Sequence, residues 1–317
     1  MIEEYLPKIY ENCFNKALHV RHGALWAISE LIIGLSGLSH ISRNKKLEEA
    51  MQQIHKKDIE ILKSGNDKKE FNERFNQLQQ ENNISLINSE MLGKIKNLLF
   101  DMEEKNLFKG KGAETMKLCI NHFIQCSSLA KLEFNDEYLL KFQNLLIENS
   151  KHSNLDLQLS SASALKQLCL SYHNEDEDVN NNKGYVISSI SKLIERSVKD
   201  SNIDVTRGYN MLFGHLSRSI ILCMQQTLLK TVCHNMVPKG RANDDAEARK
   251  YAVRSQVEII KTLGIESVDS AIIKDTLEHL FMATDDYTLD KRGDVGSWVR
   301  EEAMRSLNIL LDELFYN

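Results

Sequence analysis

The densest cluster of side chains that could do chemistry lies between residues 285 and 300, where four aspartates, two arginines and two glycines are interleaved. An acidic loop of this kind suggests an EF-hand. That interpretation fails, because with Gly293 at the sixth loop position Thr288, Arg292 and Val299 stand where oxygen ligands belong. The segment therefore does not predict a calcium site.

Arg292 is the loop residue with a conceivable catalytic role. A GTPase activator can supply an arginine that stabilises the charge developed in phosphoryl transfer. A loop arginine more often has a structural partner, so we favour a structural role for Arg292 and predict no catalytic residue. A GTPase-activating function of the isolated chain remains a third hypothesis, which its effect on GTP hydrolysis would test.

Other potential sites lack the spacing that their chemistry requires. His19 and His22 are three residues apart on a predicted helix, but no further ligands accompany them. The six cysteines are scattered without a CxxC pair, which favours reduced core thiols. Residues 109–115 are glycine-rich but lack P-loop spacing. We therefore expect no metal, no cofactor and no enzymatic activity of the chain itself.

The elements that must hold these residues are helices. The 317 residues include only Pro7 and Pro238, too few prolines for the turns of a typical sheet protein. Apolar residues recur at spacings of three and four. This pattern predicts helices over residues 20–38, 91–100, 113–131, 137–149, 155–170, 185–198, 205–215, 219–234, 246–263, 271–284 and 297–314.

Residues 42–83 differ from the rest because nearly all are charged or amide side chains with a thin apolar seam. We interpret this stretch as an exposed, partly helical insertion; a solvated linker and a partner-binding segment both remain open. The predicted organisation is therefore a first helical repeat at 1–41, a polar insertion at 42–90, and continuous repeats at 91–317.

The helices repeat with a regular period. Arg207 and Arg254 are 47 residues apart, Arg254 and Arg300 are 46 apart, and Arg21 lies 186 residues before Arg207, about four periods. HEAT and armadillo units have periods of about 40 to 47 residues. Such units cannot bury their apolar faces alone and must stack. We predict an all-α, HEAT/armadillo-like helical-repeat solenoid, with Arg21, Arg207 and Arg254 as helix anchors.

The net charge of −5 is modest and no basic stripe is present, so we expect no nucleic-acid partner. No apolar run reaches the roughly 18 to 20 residues of a membrane helix, and the first ten residues do not resemble a secretory signal. We therefore expect a cytoplasmic protein that has no membrane partner.

Residues 285–304 read D-D-Y-T-L-D-K-R-G-D-V-G-S-W-V-R-E-E-A-M. This run resembles the pattern D-D-Y-T-x-D-x-R-G-D-V-G-x-W-V-R-x-x-A-M of the tubulin-folding cofactor D family. In the same order, residues 21–25 (R-H-G-A-L), 107–110 (L-F-K-G) and 205–208 (V-T-R-G) resemble further family segments. Because family members are several times longer, we expect this chain to correspond to part of their C-terminal half.

The resemblance implies a tubulin chaperone that binds β-tubulin and takes part in assembly and disassembly of the αβ-tubulin heterodimer. It also implies work with cofactors C and E in stimulating GTP hydrolysis by tubulin, an Arf-like small GTPase as partner, and association with the cytoskeleton. A generic HEAT scaffold for another protein partner is the alternative.

Two interpretations of the 285–300 motif stay open: its residues fix a turn before a helix, or they contact a partner directly. From the residues alone, Gly293 and Gly296 would allow the turn, Asp294 would cap the next helix, and Asp290, Arg292 and Arg300 would form an ion-pair lattice. The possible partner-contact residues are Asp285, Asp286, Tyr287, Asp290, Arg292, Gly293, Asp294, Gly296, Trp298 and Arg300.

Overall fold

The computed structural model describes residues 2–35, 87–110, 112–173, 184–200, 202–240 and 245–316. Most of the predicted insertion at 42–90 and the acidic stretch at 175–178 lie outside these residues. The chain divides into two compact units, residues 1–138 and residues 139–317. Each unit is described by itself.

The first unit contains helices α1 (Ile2–Asn12), α2 (Leu18–Leu35), α3 (Ser89–Glu104) and α4 (Ala113–Leu129). Helix α5 (Asp136–Ser150) begins at its end and continues into the second unit. Helix α2 packs against α1 and α4, burying Leu25, Ile28 and Phe123. Helix α1 was not expected from the sequence, since Pro7 lies inside it.

The described residues of the second unit form seven further helices. They are α6 (Leu155–Tyr172), α7 (Gly184–Lys199), α8 (Ile203–Phe213), α9 (Arg218–His234), α10 (Ala246–Leu263), α11 (Ser270–Ala283) and α12 (Gly296–Tyr316). A short 3-10 turn at Ile265–Ser267 follows α10. Most of these bounds lie within two residues of the predicted ones.

Helices of the second unit pack in two alternating sets. In one set α8 contacts α6 and α10, and α10 contacts α12; in the other, α9 contacts α7 and α11. Neighbouring helices also pack across the sets, as α9 does on α10 and α11 on α12. This is how two-helix repeats bury the apolar faces that one repeat cannot bury alone. The all-α, HEAT/armadillo-like helical-repeat class is therefore confirmed.

Several helices begin directly after a residue whose side chain caps them. Asn154, Asn202, Asp245 and Asp269 each precede a helix and accept hydrogen bonds from backbone N–H groups of its first turn. A cap of this kind stabilises a helix by about 1 kcal/mol. In the described part of the chain, no helix is long and apolar enough to cross a membrane.

A second element that was not expected from the sequence is a small β-hairpin between α11 and α12. Strand β1 (Leu289–Asp290) pairs antiparallel with β2 (Gly293–Asp294), and Leu289 lies opposite Asp294. Two-residue strands are too short to produce an alternating pattern. This hairpin presents the centre of the 285–300 motif.

Candidate functional site

The hairpin turns tightly at Lys291 and Arg292, and Gly293 completes it. Gly293 has φ of 103°, a backbone conformation that side-chain-bearing residues rarely adopt. The predicted tight turn is present at this glycine. Gly293 therefore fixes the direction in which the hairpin leaves the helical layers.

Gly296 is needed for a different reason, which is close backbone approach rather than positive φ. Its N–H donates to the carbonyl oxygen of Thr288 at 2.9 Å. A Cβ at residue 296 would lie 2.6 Å from the Thr288 nitrogen and would also overlap the Asp286 carbonyl oxygen. The start of α12 therefore lies directly against the chain that enters the hairpin.

Asp286 fixes the base of the hairpin to α10. Its carboxylate accepts a hydrogen bond from Arg249 Nε at 2.7 Å, and both residues are only 2% exposed. It also accepts from the Thr288 backbone N–H at 3.0 Å and hydroxyl at 2.6 Å, while Arg249 Nη2 donates to the same hydroxyl. Burial raises the pKa of Asp286, but the hydrogen bonds from Arg249 and Thr288 outweigh it and leave that pKa below its ordinary value.

Arg300 joins the hairpin to α12. Its guanidinium makes two hydrogen bonds to the Asp294 carboxylate, at 3.2 and 2.6 Å, and a third to the Asp286 carbonyl oxygen at 2.6 Å. It also lies 4.5 Å from the ring centroid of Tyr287. Asp294 accepts the Ser297 N–H at 3.1 Å, so the aspartate predicted as a cap does bind the first turn of α12.

Arg292 and Asp290 form a separate pair on the outer side of the hairpin. Arg292 donates to the Asp290 carboxylate from Nε at 2.9 Å and from Nη2 at 2.6 Å, which lowers the pKa of Asp290. The guanidinium also lies 5.0 Å from the ring centroid of Trp298, a cation–π distance. Instead of one lattice, the three predicted residues therefore belong to two pairs, Asp290–Arg292 and Asp294–Arg300.

The motif thus has a fixed interior and an open face. Asp286, Gly296 and Val295 are buried, whereas Tyr287 is 68% and Leu289 73% exposed. Asp285, Asp290, Arg292, Gly293 and Asp294 are exposed as well, and Trp298 and Arg300 are half-buried. We use the name hairpin face for four exposed residues of this segment, Tyr287, Leu289, Asp290 and Arg292.

Two acidic residues at the start of α10, the capping residue Asp245 and Glu247 of the first turn, lie beside Arg292. Arg292 lies 3.9 Å from carboxylate oxygens of both Asp245 and Glu247. Glu247 in turn accepts a hydrogen bond from Arg207 Nη1 at 2.6 Å. A line of alternating charges therefore runs from α8 across the start of α10 to the hairpin.

The predicted anchors make different contacts. Arg207 ties α8 to its neighbours, donating to Gln158 Oε1 of α6 at 2.7 Å and to the Ser153 carbonyl oxygen at 3.0 Å. Arg21 donates to the Asn15 carbonyl oxygen at 2.7 Å. Arg254 instead makes two hydrogen bonds to Glu302, joining α10 to α12 further along both helices.

Sequence reasoning missed Arg249, the residue that holds the hairpin. A positional signal exists: in four helices an arginine is the fourth or fifth residue. These are Arg21, Arg207, Arg249 and Arg300. Arg254 matches the 46-residue period but is the ninth residue of α10. The period therefore selects Arg254, whereas the position from the start of the helix selects Arg249.

No known family model matches this chain. It is similar to tubulin-specific chaperone D of Dictyostelium discoideum, at 24% identity over 357 aligned residues. The alignment covers 97% of this chain but only 24% of that protein, so the chain spans about a quarter of the relative's length.

Proposed function

We propose that this chain acts as a tubulin chaperone module, binding β-tubulin and the αβ-tubulin heterodimer through a surface that includes the hairpin face. The observation that carries the proposal is the similarity to tubulin-specific chaperone D along almost the whole chain. The all-α repeat fold agrees with it, because stacked helical repeats provide long surfaces for protein partners.

The hairpin face has the composition of a protein contact. Tyr287 and Arg292 belong to residue types that are enriched at binding hot spots, and Leu289 adds exposed apolar area. A buried ion pair and a glycine contact hold the hairpin beneath them in one conformation. Because the hairpin is already ordered, binding a partner would cost little conformational entropy of this surface.

The action we propose involves no covalent step of this chain. A module that binds one state of tubulin more tightly than another shifts the equilibrium between separated and paired subunits by its difference in affinity. As part of a larger complex, we further propose, the chain contributes to stimulation of GTP hydrolysis with cofactors C and E and to binding of an Arf-like GTPase. The proposed location is the cytoplasm, next to the cytoskeleton.

A pull-down of the whole chain with purified β-tubulin and αβ-tubulin, at low and moderate salt, tests this function. We expect selective retention of tubulin over an unrelated acidic globular protein. Retention of neither tubulin form, beside retention by a longer relative as positive control, would contradict the proposal. Equal retention of all the proteins would favour the alternative, a generic helical-repeat scaffold.

A further inference from the structure

Three potential metal ligands converge between α9 and α11, away from the hairpin. Cys233 lies near the end of α9, and Asp275 and His279 lie one turn apart on α11. One ligand atom from each lies within 4.8 Å of the other two. Within the described ranges this is the only such group of three.

The helices bring these groups together for simple reasons. Residues at i and i+4 share one face of a helix, so Asp275 and His279 point to the same side of α11. Helix α9 packs against α11 and contributes the sulfur of Cys233. Cys233 Sγ lies 3.7 Å from the Asp275 carbonyl oxygen, and His279 Nδ1 lies 3.2 Å from an Asp275 carboxylate oxygen.

The geometry points to a binding site for a divalent transition-metal ion of the zinc class, formed by Cys233, Asp275 and His279. Sulfur, imidazole nitrogen and carboxylate oxygen are the three ligand types that zinc takes in proteins. A thiolate with an imidazole excludes magnesium and calcium, which prefer oxygen ligands. This metal site does not depend on the proposed binding of tubulin.

The burial of the three residues fits such a site. Cys233 is buried, whereas Asp275 and His279 are half-buried at the surface of α11. An ion can therefore approach from solvent, displace the thiol proton to water, and keep one water as a fourth ligand. Ligand atoms bonded to a tetrahedral zinc at about 2.0 to 2.3 Å lie roughly 3.3 to 3.8 Å apart, so these atoms, now within 4.8 Å of one another, would have to approach by about 1 to 1.5 Å at most. A bound divalent cation would neutralise the negative charge of both the Cys233 thiolate and the Asp275 carboxylate.

Cobalt(II) titration of the reduced whole chain tests this site. We expect one Co²⁺ per chain, with a near-ultraviolet thiolate-to-cobalt charge-transfer band and the visible bands of tetrahedral cobalt. Added Zn²⁺ should remove both. Cys233→Ser should abolish the charge-transfer band, and His279→Ala should weaken affinity at least about tenfold.

Cys223→Ser is the matched control, because Cys223 is an exposed thiol of the same helix. It should bind cobalt as the unmodified chain does. His279→Ala removes a half-buried side chain, so it remains informative if Cys233→Ser fails to fold. Absence of a saturable 1:1 charge-transfer band, or a band that survives Cys233→Ser or is lost in Cys223→Ser, would overturn the inference.

Discussion

Gly296 and Asp286 hold the hairpin for two different physical reasons. Gly296 leaves room for the chain that passes beside α12, whereas Asp286 neutralises a buried arginine. Both residues are buried. At the residue scale, the motif therefore combines structural residues with the exposed side chains that they position.

Gly296→Ala should lower the free energy of unfolding by about 1 to 3 kcal/mol, because the new methyl group overlaps backbone that cannot move independently. Urea unfolding, followed by Trp298 fluorescence in a Trp26→Phe background, measures this.

Gly23→Ala in α2 is the control for that substitution. A Cβ at residue 23 meets nothing within 4 Å, and alanine is the better helix former. It should raise stability by about 0.5 to 1 kcal/mol, followed by Trp26 fluorescence. Equal effects of the two substitutions would contradict the close-approach argument.

Arg249→Ala should cost about 3 to 5 kcal/mol, because it leaves the Asp286 carboxylate buried without its cation. Arg292→Ala should change stability by less than about 1 kcal/mol, because its pair with Asp290 is exposed to solvent. The same fluorescence assay compares them. A larger loss from Arg292→Ala would show that the outer pair, not the inner one, holds the hairpin.

Stability should depend on pH through Asp286. Its pKa is lower in the folded chain than in the unfolded chain, so its contribution is fully present above about pH 4. That contribution is lost as pH falls through the folded pKa. The difference in free energy of unfolding between the unmodified chain and Asp286→Asn should therefore be constant from pH 7 to 5 and should become smaller below pH 4. A gap that is unchanged at pH 3 would contradict the ion pair.

At the scale of elements, the sequence predicts helices well where apolar periodicity is strong. Helix α10 has the predicted bounds, 246 and 263. Helix α1 was missed although Ile2, Leu6 and Ile9 have helical spacing, because Pro7 lies inside it and proline usually breaks a helix interior. In α12, Leu310 is fully buried, whereas Leu314, one turn later, is 40% exposed.

The site could be predicted only in part. The run at 285–304 marks the segment, and the contact between Asp294 and α12 follows from a capping residue before a helix. The Arg249–Asp286 pair could not be predicted, because it joins residues 37 positions apart on elements with no shared pattern. Only the packing of α10 beside the hairpin creates it.

Helices α10 and α12 should be coupled through Arg254 and Glu302. This pair makes two hydrogen bonds, and Glu302 is buried. A double-mutant cycle with Arg254→Gln and Glu302→Gln should give a coupling of about 1 to 3 kcal/mol. The exposed pair Arg305–Glu301, within α12, should give about 0.3 to 0.5 kcal/mol. Equal couplings would mean that the inter-helix pair adds nothing.

At the scale of the molecule, the packed helical repeats of the second unit support the exposed residues of the hairpin. Charged contacts link α6, α8, α10 and the hairpin, so the second unit holds the hairpin face against several helices. Binding at the hairpin face could therefore favour one state of a bound protein without deforming the hairpin itself.

The most direct test measures the affinity of αβ-tubulin for the chain and for the triple variant Tyr287→Ala, Leu289→Ala, Arg292→Glu. The control is Tyr5→Ala with Lys8→Glu, which removes an exposed aromatic–cation contact elsewhere. We expect the triple variant to bind at least about tenfold more weakly, since truncated hot spots cost 2 kcal/mol or more, about thirtyfold. The control should bind as the unmodified chain does. Unchanged affinity of the triple variant would contradict the hairpin face as a tubulin contact.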